Sequence, residues 1–393
     1  MRREASKRMS ELDINKYLSE LEEIVNIDSG SVDFHGHEIL ADWFEKKFLE
    51  TGLSVERYML LDFEGRGVRP YLFASNRKLP EESRGERDID VLFIGHLDTV
   101  FPQGTVQQRP FSVDGDVAKG PGVADMKSGC LLALYIVQEL MNEYPGKTFA
   151  IAHNFDEELG SVDSGLILQV IAGRSKRVFD MEPGRITGNM VKARKDVDEY
   201  EVIFHGIPSH AGNSPEQGAS AINEMAHFIM EAHKLNDYDR GLTVSVGTCS
   251  GGTTTNVIPE HAMIRMDVRY WRKEDRQEIV GKLQELADRP VTKGVRTEIR
   301  QISCLPPMEP SSKTLEMMRV ITEEAEKLGM HIEFESSAGG SDGSLAAETG
   351  APVLDACGPA GEGLHNEKEF IRISSVQERY MLILNAVRRL LEE

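Results

Sequence analysis

Cysteine and long apolar runs are both scarce in this chain of 393 residues. The four cysteines lie far apart and form no Cys-x-x-Cys pair, so neither a disulfide framework nor a zinc knuckle is indicated. Every apolar run is shorter than the roughly 20 residues that a membrane-spanning helix needs. We therefore expect a protein that has no membrane partner.

Basic residues are also scarce relative to acidic ones. The chain has 45 lysines and arginines against 65 aspartates and glutamates, which gives a formal net charge of -20. Phosphate groups would be repelled by such a surface, so no nucleic acid partner is expected. Residues 1–18 are basic but lack the apolar stretch of a signal peptide, and we expect a cytoplasmic location.

The length of the chain favours two domains. Apolar runs at 91–96 and 148–155 are typical of buried strands, and the run at 130–141 between them is typical of a buried helix. Strand, helix and strand in this order indicate a parallel sheet that is covered on both faces. Near the start, Ser10 is expected to cap a first helix, and Gly52 is expected to end a second one.

The pattern changes near residue 193. Four half-buried strands follow (YEVIFHG, TVSVGT, AMIRMDVRYW and VRTEIRQI), with helices at about 218–234 and 274–288 between them. Two helices on a four-stranded antiparallel sheet form a compact α+β unit. We interpret 193–302 as an insertion into a discontinuous α/β domain, with a mostly parallel sheet, that comprises 1–192 and 303–393.

Five histidine and acidic side chains lie at the ends of apolar runs. They are His96, Asp125, Glu158, Glu182 and His365. Two imidazoles and three carboxylates are the ligand types that zinc and similar divalent metals prefer. The set indicates metal-assisted hydrolysis.

Each of these side chains also has an ordinary structural interpretation. His96 is either a ligand oriented by Asp98 or a buried histidine that Asp98 satisfies. Asp125 precedes a predicted helix and is suited to cap it. The acidic run FDEELG is either a solvated loop or a place where Glu158 binds metal and Glu157 is left as a general base.

Further alternatives concern the later residues. Asp180 is two residues from Glu182 and therefore an alternative ligand, and His365 lies in a Gly-rich loop where a surface histidine is common. In the middle segment, His210 is interpreted in isolation as a surface histidine, Asn256 as a turn residue and Arg269 as a member of a surface ion pair.

Several motifs in this order resemble the M20 family of metallopeptidases and deacylases, and most closely its glutamate carboxypeptidase-like members. The motifs are GHLDTV, GPGVADMKSG, DEELGS, SHAG, NVIPEH with DVRY, and GGSDGS, followed by His365. The resemblance extends from about residue 90 to the end of the chain, and the N-terminal helices fit it too.

This resemblance implies a centre with two divalent metal ions, zinc first, with Co²⁺ or Mn²⁺ as alternatives. Asp125 would bridge the two ions. His96 and Glu182 would complete one metal site, and Glu158 and His365 would complete the other.

The resemblance also assigns roles outside the ligand set. Glu157 would be the general base, Asp98 would support His96, and the peptide bond after Asp125 would be cis. The residues implied to contact substrate are His210, Asn256, Arg269, Gly340 and Ser341. His210 would stabilise the oxyanion, often from the partner subunit of a homodimer formed through the inserted lid and dimerisation domain. In GGSDGS, Asp342 is expected to cap the following helix.

The implied activity is hydrolysis of an amide bond next to a free carboxylate in a small peptide or N-acyl amino acid. Carboxypeptidase-like action is preferred, with N-acyl-amino-acid deacylation as the alternative. A non-catalytic binding protein with the same fold is a third hypothesis. A metalloenzyme with a single metal ion is a further one, in which one of the predicted ligands would not bind metal. Leu305 precedes Pro306 where glutamate carboxypeptidase-like relatives often carry arginine, which argues against strict glutamate specificity.

Overall fold

The computed structural model describes residues 11–80 and 86–393. The expected cap at Ser10 and most of the basic N-terminal segment lie outside the described residues. Within the described ranges, no helix combines the length and the apolar character needed to cross a membrane.

The chain separates into two compact units. The first unit comprises Met1–Lys192, Pro310–Glu335 and Leu345–Glu393, and the second comprises Ala193–Glu309 and Ser336–Ser344. The expected return to the first domain at residue 303 is therefore too early, because the last strand of the second unit continues to Leu305. The short segment Ser336–Ser344 also belongs to the second unit, which the sequence pattern did not indicate.

The helices of the structure are as follows, in chain order: α1 (Ile14–Val25), α2 (Phe34–Glu50), α3 (Thr105–Gln108), α4 (Ser128–Glu143), α5 (Gly165–Gly173), α6 (Ala221–His233), α7 (Lys273–Asp288), α8 (Ser312–Lys327), α9 (Asp342–Glu348) and α10 (Ile373–Glu392).

The strands are as follows: β1 (Ser54–Leu61), β2 (Val68–Ser75), β3 (Val91–His96), β4 (Ser112–Asp114), β5 (Val117–Lys119), β6 (Phe149–Asn154), β7 (Val178–Asp180), β8 (Met190–Arg194), β9 (Val197–His205), β10 (Ser209–His210), β11 (Thr243–Gly251), β12 (Val257–Ile258), β13 (His261–Arg269), β14 (Arg296–Leu305), β15 (Phe334–Ser337), β16 (Val353–Leu354), β17 (Gly361–Glu362) and β18 (Phe370–Arg372).

The first unit contains a six-stranded sheet with the order β1-β2-β6-β3-β7-β16. Strand β3 runs parallel to β6 and β7, and β7 runs parallel to β16. Strand β2 pairs antiparallel with β1 and with β6. Strands β3 and β6 are buried along their whole length, which confirms the strands expected at 91–96 and 148–155. The antiparallel β1–β2 hairpin was not predicted, because β1 is half exposed and carries polar side chains.

Helices pack with this sheet around one apolar core. Leu131 of α4, Phe44 of α2 and Leu384 of α10 belong to the same buried cluster as Phe93 of β3. Burial of each such side chain stabilises the fold by about 1.5–3 kcal/mol. The ring of Phe93 also stacks on that of Phe179 at 5.5 Å, which joins neighbouring strands β3 and β7.

The ends of the first helices follow simple rules. Asp13 caps α1, and its side chain accepts the backbone N–H of Lys16, so the cap lies three residues after the expected Ser10. Helix α2 ends before Gly52, whose φ of +89° is readily adopted only by glycine. The predicted end of the second helix is confirmed.

The second unit contains a four-stranded antiparallel sheet with the order β11-β13-β9-β14. Helices α6 and α7 contribute to the core of this unit, where Phe228 and Leu283 join Phe204 and Ile264 of the strands. Ser220 caps α6 by accepting the backbone N–H of Asn223. The prediction of an α/β domain interrupted by a separate unit with an antiparallel sheet agrees with this arrangement.

A small antiparallel sheet in the first unit was not predicted. Its order is β17-β18-β5-β4, and its strands have two or three residues each, too few for a recognisable alternation. The sheet matters because the loop between β17 and β18 carries His365.

Candidate metal centre

The carboxyl ends of three neighbouring parallel strands place most of the predicted ligands. Strand β3 ends at His96, which pairs in register with Asn154 at the end of β6. Glu158 follows β6 in a short 3₁₀ turn. Glu182 follows β7, whose last residue Asp180 pairs with Ile94 of β3. Because the strands are parallel, their ends meet at one edge of the sheet, where ligands of α/β proteins usually bind.

The segment between β5 and α4 brings Asp125 to the same edge. Residues Val123–Lys127 form a kinked turn whose backbone is not helical at Asp125 and Met126, and the peptide bond between these two residues is cis, as the M20 resemblance implies. Helix α4 begins later, at Ser128, with Lys127 at the cap position. Asp125 therefore does not cap this helix.

The five predicted ligands form one cluster. His96 Nε2 lies 3.0 Å from Asp125 Oδ1 and 3.8 Å from Glu182 Oε1. His365 Nε2 lies 3.3 Å from Asp125 Oδ2 and 3.2 Å from Glu158 Oε2. The two oxygens of Asp125 thus face different histidines, an arrangement suited to a carboxylate shared by two ions.

These spacings fit a divalent metal. Two ligand atoms at about 2.1 Å from a tetrahedral ion lie about 3.4 Å from each other, close to the separations seen here. Potential ligand atoms of His96, Asp125 and Glu158 lie within 4.8 Å of one another, and so do those of His96, Glu157 and Glu182. Among the described residues, Glu182 and not Asp180 belongs to these groups.

Asp98 holds several parts of the centre together. Its Oδ1 lies 3.3 Å from His96 Nδ1, and its two oxygens accept the backbone N–H groups of Glu157 and Glu158 at 3.2 and 3.3 Å. The Ser31 hydroxyl donates to Oδ2 at 2.8 Å. One buried carboxylate therefore orients both the histidine of β3 and the acidic turn after β6.

The electrostatic field of the cluster is negative. Burial tends to lower the pKa of His96, but hydrogen bonds with Asp125 and Asp98 raise it well above its ordinary value. Hydrogen bonds with Asp125 and Glu158 raise the pKa of His365 to about 10. Burial raises the pKa of Glu158. A field that favours protonated imidazoles in this way also favours divalent cations.

One of the predicted ligands has a strained backbone conformation. His365 adopts a φ of +58°, a region that non-glycine residues seldom occupy. Strain of this kind persists where the surroundings fix the conformation, and it is common at functional sites.

Glu369 supports the loop that carries Asp125, and the sequence analysis did not identify it. Its buried carboxylate accepts the backbone N–H groups of Gly122 at 2.9 Å, Ala124 at 2.8 Å and Asp125 at 3.0 Å. The contact joins residues 247 positions apart. The sequence offers only a weak signal for it, an acidic residue four positions after His365.

Arg69 is a second supporting residue that was not predicted. Its fully buried guanidinium donates to the carbonyl oxygens of Ser31 at 3.0 Å and Phe155 at 2.9 Å. It also pairs with Asp62 and, at 2.8 Å, with Asp163. Phe155 lies just before the acidic turn and Ser31 contacts Asp98, so Arg69 braces both. A lone arginine in an otherwise apolar strand was its only signal.

The second unit contains the predicted substrate residues. His210 and Asn256 lie near each other, because β10 pairs with β12 and the N–H of Ala211 donates to the Asn256 carbonyl at 2.9 Å. His210 Nδ1 accepts the backbone N–H groups of Gly212 and Asn213, both at 3.1 Å. A neutral His210 therefore carries its proton on Nε2, as a donor to an oxyanion must.

Arg269 and the loop around Gly340 lie in the same unit. The guanidinium of Arg269 forms a two-pronged ion pair with Asp267 and donates to the Ala338 carbonyl at 2.6 Å, so the ion-pair interpretation holds. A Cβ on Gly340 would approach Leu305 Cδ1 to 2.8 Å, so the Leu305 side chain lies close to the backbone of this loop. Buried Leu305 thus packs on this loop as an apolar residue.

The expectation that Asp342 caps the next helix is wrong. Helix α9 begins at Asp342 itself, and the Ser341 hydroxyl accepts the N–H of Gly343 at 3.1 Å. Ser341 occupies the cap position because its short side chain reaches the free amide of the first turn.

Comparison with known proteins agrees with the fold. A family model described as the M20 peptidase dimerisation domain matches residues 192–295. Carboxypeptidase G2 of Pseudomonas sp. (strain RS-16) is 29% identical over 368 residues, 91% of this chain and 85% of that protein. A succinyl-diaminopimelate desuccinylase of Hydrogenovibrio crunogenus is 24% identical over 324 residues, 77% of this chain and 84% of that protein.

A solved structure shows the same fold. The M20 family metallo-carboxypeptidase Sso-CP2 of Sulfolobus solfataricus has a TM-score of 0.72 at 16% identity, covering 96% of this chain and 100% of that chain. Fold and cluster define a two-unit protein with a candidate metal centre in its α/β unit. The expected resemblance to the M20 family agrees with these comparisons: residues 192–295 match the M20 dimerisation domain, and the fold is that of an M20 family metallo-carboxypeptidase.

Proposed function

We propose that this protein is a metal-dependent hydrolase that cleaves an amide bond next to a free carboxylate, with carboxypeptidase-like action on small peptides. The observation that carries the proposal is the convergence of His96, Asp125, Glu158, Glu182 and His365 at one edge of the parallel sheet. Their likeness to M20 motifs and the similarity to a carboxypeptidase support it.

The ligands would hold two divalent ions, zinc first and Co²⁺ or Mn²⁺ as alternatives. Asp125 would bridge them, with His96 and Glu182 in one site and Glu158 and His365 in the other. When bound, such an ion lowers the pKa of a coordinated water to about 7 and polarises a carbonyl oxygen.

Residues of the chain itself handle the proton and the substrate. Glu157 acts as general base, taking a proton from the attacking water and delivering it to the departing nitrogen, a role worth about 10²–10⁴-fold in rate. Asp98 fixes the position of Glu157 by accepting its backbone N–H. His210, with its proton on Nε2, donates to the oxyanion.

Recognition of the free carboxylate is assigned to the second unit. Arg269 and the backbone of Gly340 and Ser341 would contact the carboxylate, and Asn256 would position the adjoining amide. Leu305 adds an apolar side chain to this neighbourhood, so the residue that carries the carboxylate is not restricted to glutamate.

We also propose a homodimer formed through residues 193–302. The match to a dimerisation domain supports it, and β11 is an edge strand of the antiparallel sheet. Met230 of α6 is 63% exposed and, together with Val244 of β11, lines one shallow cleft. Light scattering should give twice the chain mass of 43.9 kDa. A monomer that is fully active in dilute solution would exclude a cross-subunit role for His210.

N-acyl-amino-acid deacylation is the second candidate. The similarity to a desuccinylase favours it, since that name describes removal of an acyl group from an amine. A non-catalytic binding protein is a remote third candidate, because every predicted ligand and the predicted base are present.

One experiment separates these candidates. Metal is removed with a chelator and restored as Zn²⁺, Co²⁺ or Mn²⁺, and hydrolysis is measured on dipeptides with different C-terminal residues and on N-acetyl amino acids. Metal-dependent cleavage of the dipeptides supports the carboxypeptidase, and preference for the N-acetyl compounds supports the deacylase. Metal-loaded protein that cleaves none of them contradicts the proposed hydrolase.

A further inference from the structure

A cleft of about 510 Å³ in the first unit borders the candidate metal centre. One of its lining residues is Glu158, a predicted ligand. Most of the remaining surface is apolar and is formed by Val32, Val100, Phe101, Pro102 and Leu159. The size is within the range of small-molecule sites, about 300–1,000 Å³.

The two main walls of the cleft are formed by residues 30–33 and 99–103, and backbone hydrogen bonds link the two segments. The N–H of Thr99 donates to the Ser29 carbonyl at 2.9 Å, and the N–H of Ser31 donates to the Thr99 carbonyl at 3.1 Å. Gly30 lies so close to the other wall that a Cβ there would approach the Phe101 carbonyl oxygen to 2.3 Å. The cleft is therefore preformed by main-chain contacts.

Two valine side chains in this cleft are accessible to a ligand. Val32 is 55% exposed and Val100 is 43% exposed, although both adjoin a buried polar centre. Accessible apolar surface beside a few polar groups is typical of a binding site. A ligand that covers these side chains gains the transfer free energy of its own apolar surface.

The charge of the cleft restricts the kind of ligand. Its lining includes the acidic side chains of Asp33 and Glu158 and contains no lysine or arginine among the described residues. The Asp33 carboxylate already accepts the N–H of Gly36 at the start of α2. A free carboxylate would meet only like charge here, whereas a neutral apolar group would not.

We propose that this cleft receives an apolar acyl group, the part of the substrate on the carbonyl side of the scissile amide. The inference rests on the proposed hydrolysis of an amide next to a free carboxylate. It assigns the acyl side of that amide, which does not carry the carboxylate, to the first unit. It predicts substrates with an extended aliphatic or aromatic acyl portion. Each buried methylene should raise kcat/KM about fourfold.

The test compares N-acetylalanine with N-hexanoylalanine on the metal-loaded, full-length protein. Four additional methylenes should raise kcat/KM about 200-fold if all are buried. Val32→Asp and Val100→Asp should remove most of this gain, measured within each variant as the ratio of kcat/KM for the hexanoyl compound to kcat/KM for the acetyl compound. Val113→Asp is the matched control, because Val113 is 50% exposed on β4 and does not line the cleft.

Binding provides a readout that does not require turnover. Calorimetry of both compounds with metal-loaded Glu157→Ala protein should show tighter binding of the hexanoyl compound, and Val32→Asp should abolish the difference. Equal binding and equal kcat/KM for both compounds, or an unchanged preference in the Val32→Asp and Val100→Asp proteins, would overturn the cleft assignment. Chain-length-dependent binding without any turnover would support the cleft and count against the proposed hydrolase instead.

Discussion

Replacement of Glu369 by glutamine tests whether the loop that presents Asp125 is held in place for metal binding. Glutamine keeps the size of the side chain, and its oxygen is able to accept the N–H groups of Ala124 and Asp125, as Oε1 does now. The other oxygen becomes an amino group that faces the N–H of Gly122, donor against donor. One hydrogen bond to a charged group is lost, worth about 1.5–3 kcal/mol.

The expected result follows from that loss. Removal of a partner that orients a metal ligand usually costs about 10–100-fold in metal affinity, and we expect a decrease of that size for zinc. Competition with a chromophoric chelator on metal-free protein measures it, and circular dichroism verifies that the variant is folded. Glu367→Gln is the control, since Glu367 is exposed in the same loop and its replacement removes the same charge. Wild-type affinity in Glu369→Gln, or an equal decrease in both variants, would refute the reasoning.

Three other variants give further predictions. Glu157→Ala should keep its metal by elemental analysis and lose about 10²–10⁴-fold in kcat; loss of the metal would make Glu157 a ligand. Arg69→Met removes the arginine partner of Asp163 and one of the two arginine partners of buried Asp62, so urea unfolding should show a loss of about 3–5 kcal/mol in the free energy of unfolding. Arg66→Met, which removes a partly exposed arginine, should lose about 1 kcal/mol or less, and equal losses would contradict this. Hydrogen bonds from Arg66 hold the pKa of Asp62 below its ordinary value, so Asp62 stabilises the fold above about pH 4 and this contribution is lost as the pH falls. The free energy of unfolding of Asp62→Asn should therefore differ from that of wild type at neutral pH and converge with it in acid. A difference that does not change with pH would be inconsistent with this.

Local sequence patterns were sufficient for strands β3 and β6, which precede the ligands His96 and Glu158. The run VLFIGH is continuously apolar and ends in a polar residue, so both β3 and the position of His96 followed from it. Alternating half-buried strands likewise indicated the separate sheet of the second unit. These features depend on neighbours in the chain, which a single sequence displays.

Features that depend on distant contacts were not predictable in the same way. Glu369 acts on amides 247 residues away, and Arg69 joins Ser31 to Phe155 across two loops. No local pattern distinguishes such residues from surface charges. The cleft beside Glu158 also forms only when two remote segments pair, so its apolar side chains looked like ordinary loop residues in the sequence.

Anomalous X-ray diffraction from crystals of the zinc-loaded protein tests the central claim most directly. The account predicts two zinc peaks about 3.5–4 Å apart with the Asp125 carboxylate between them. One ion should be bound by His96 and Glu182, and the other by Glu158 and His365. A single peak, peaks elsewhere, or no peak among these five side chains would contradict the proposed centre.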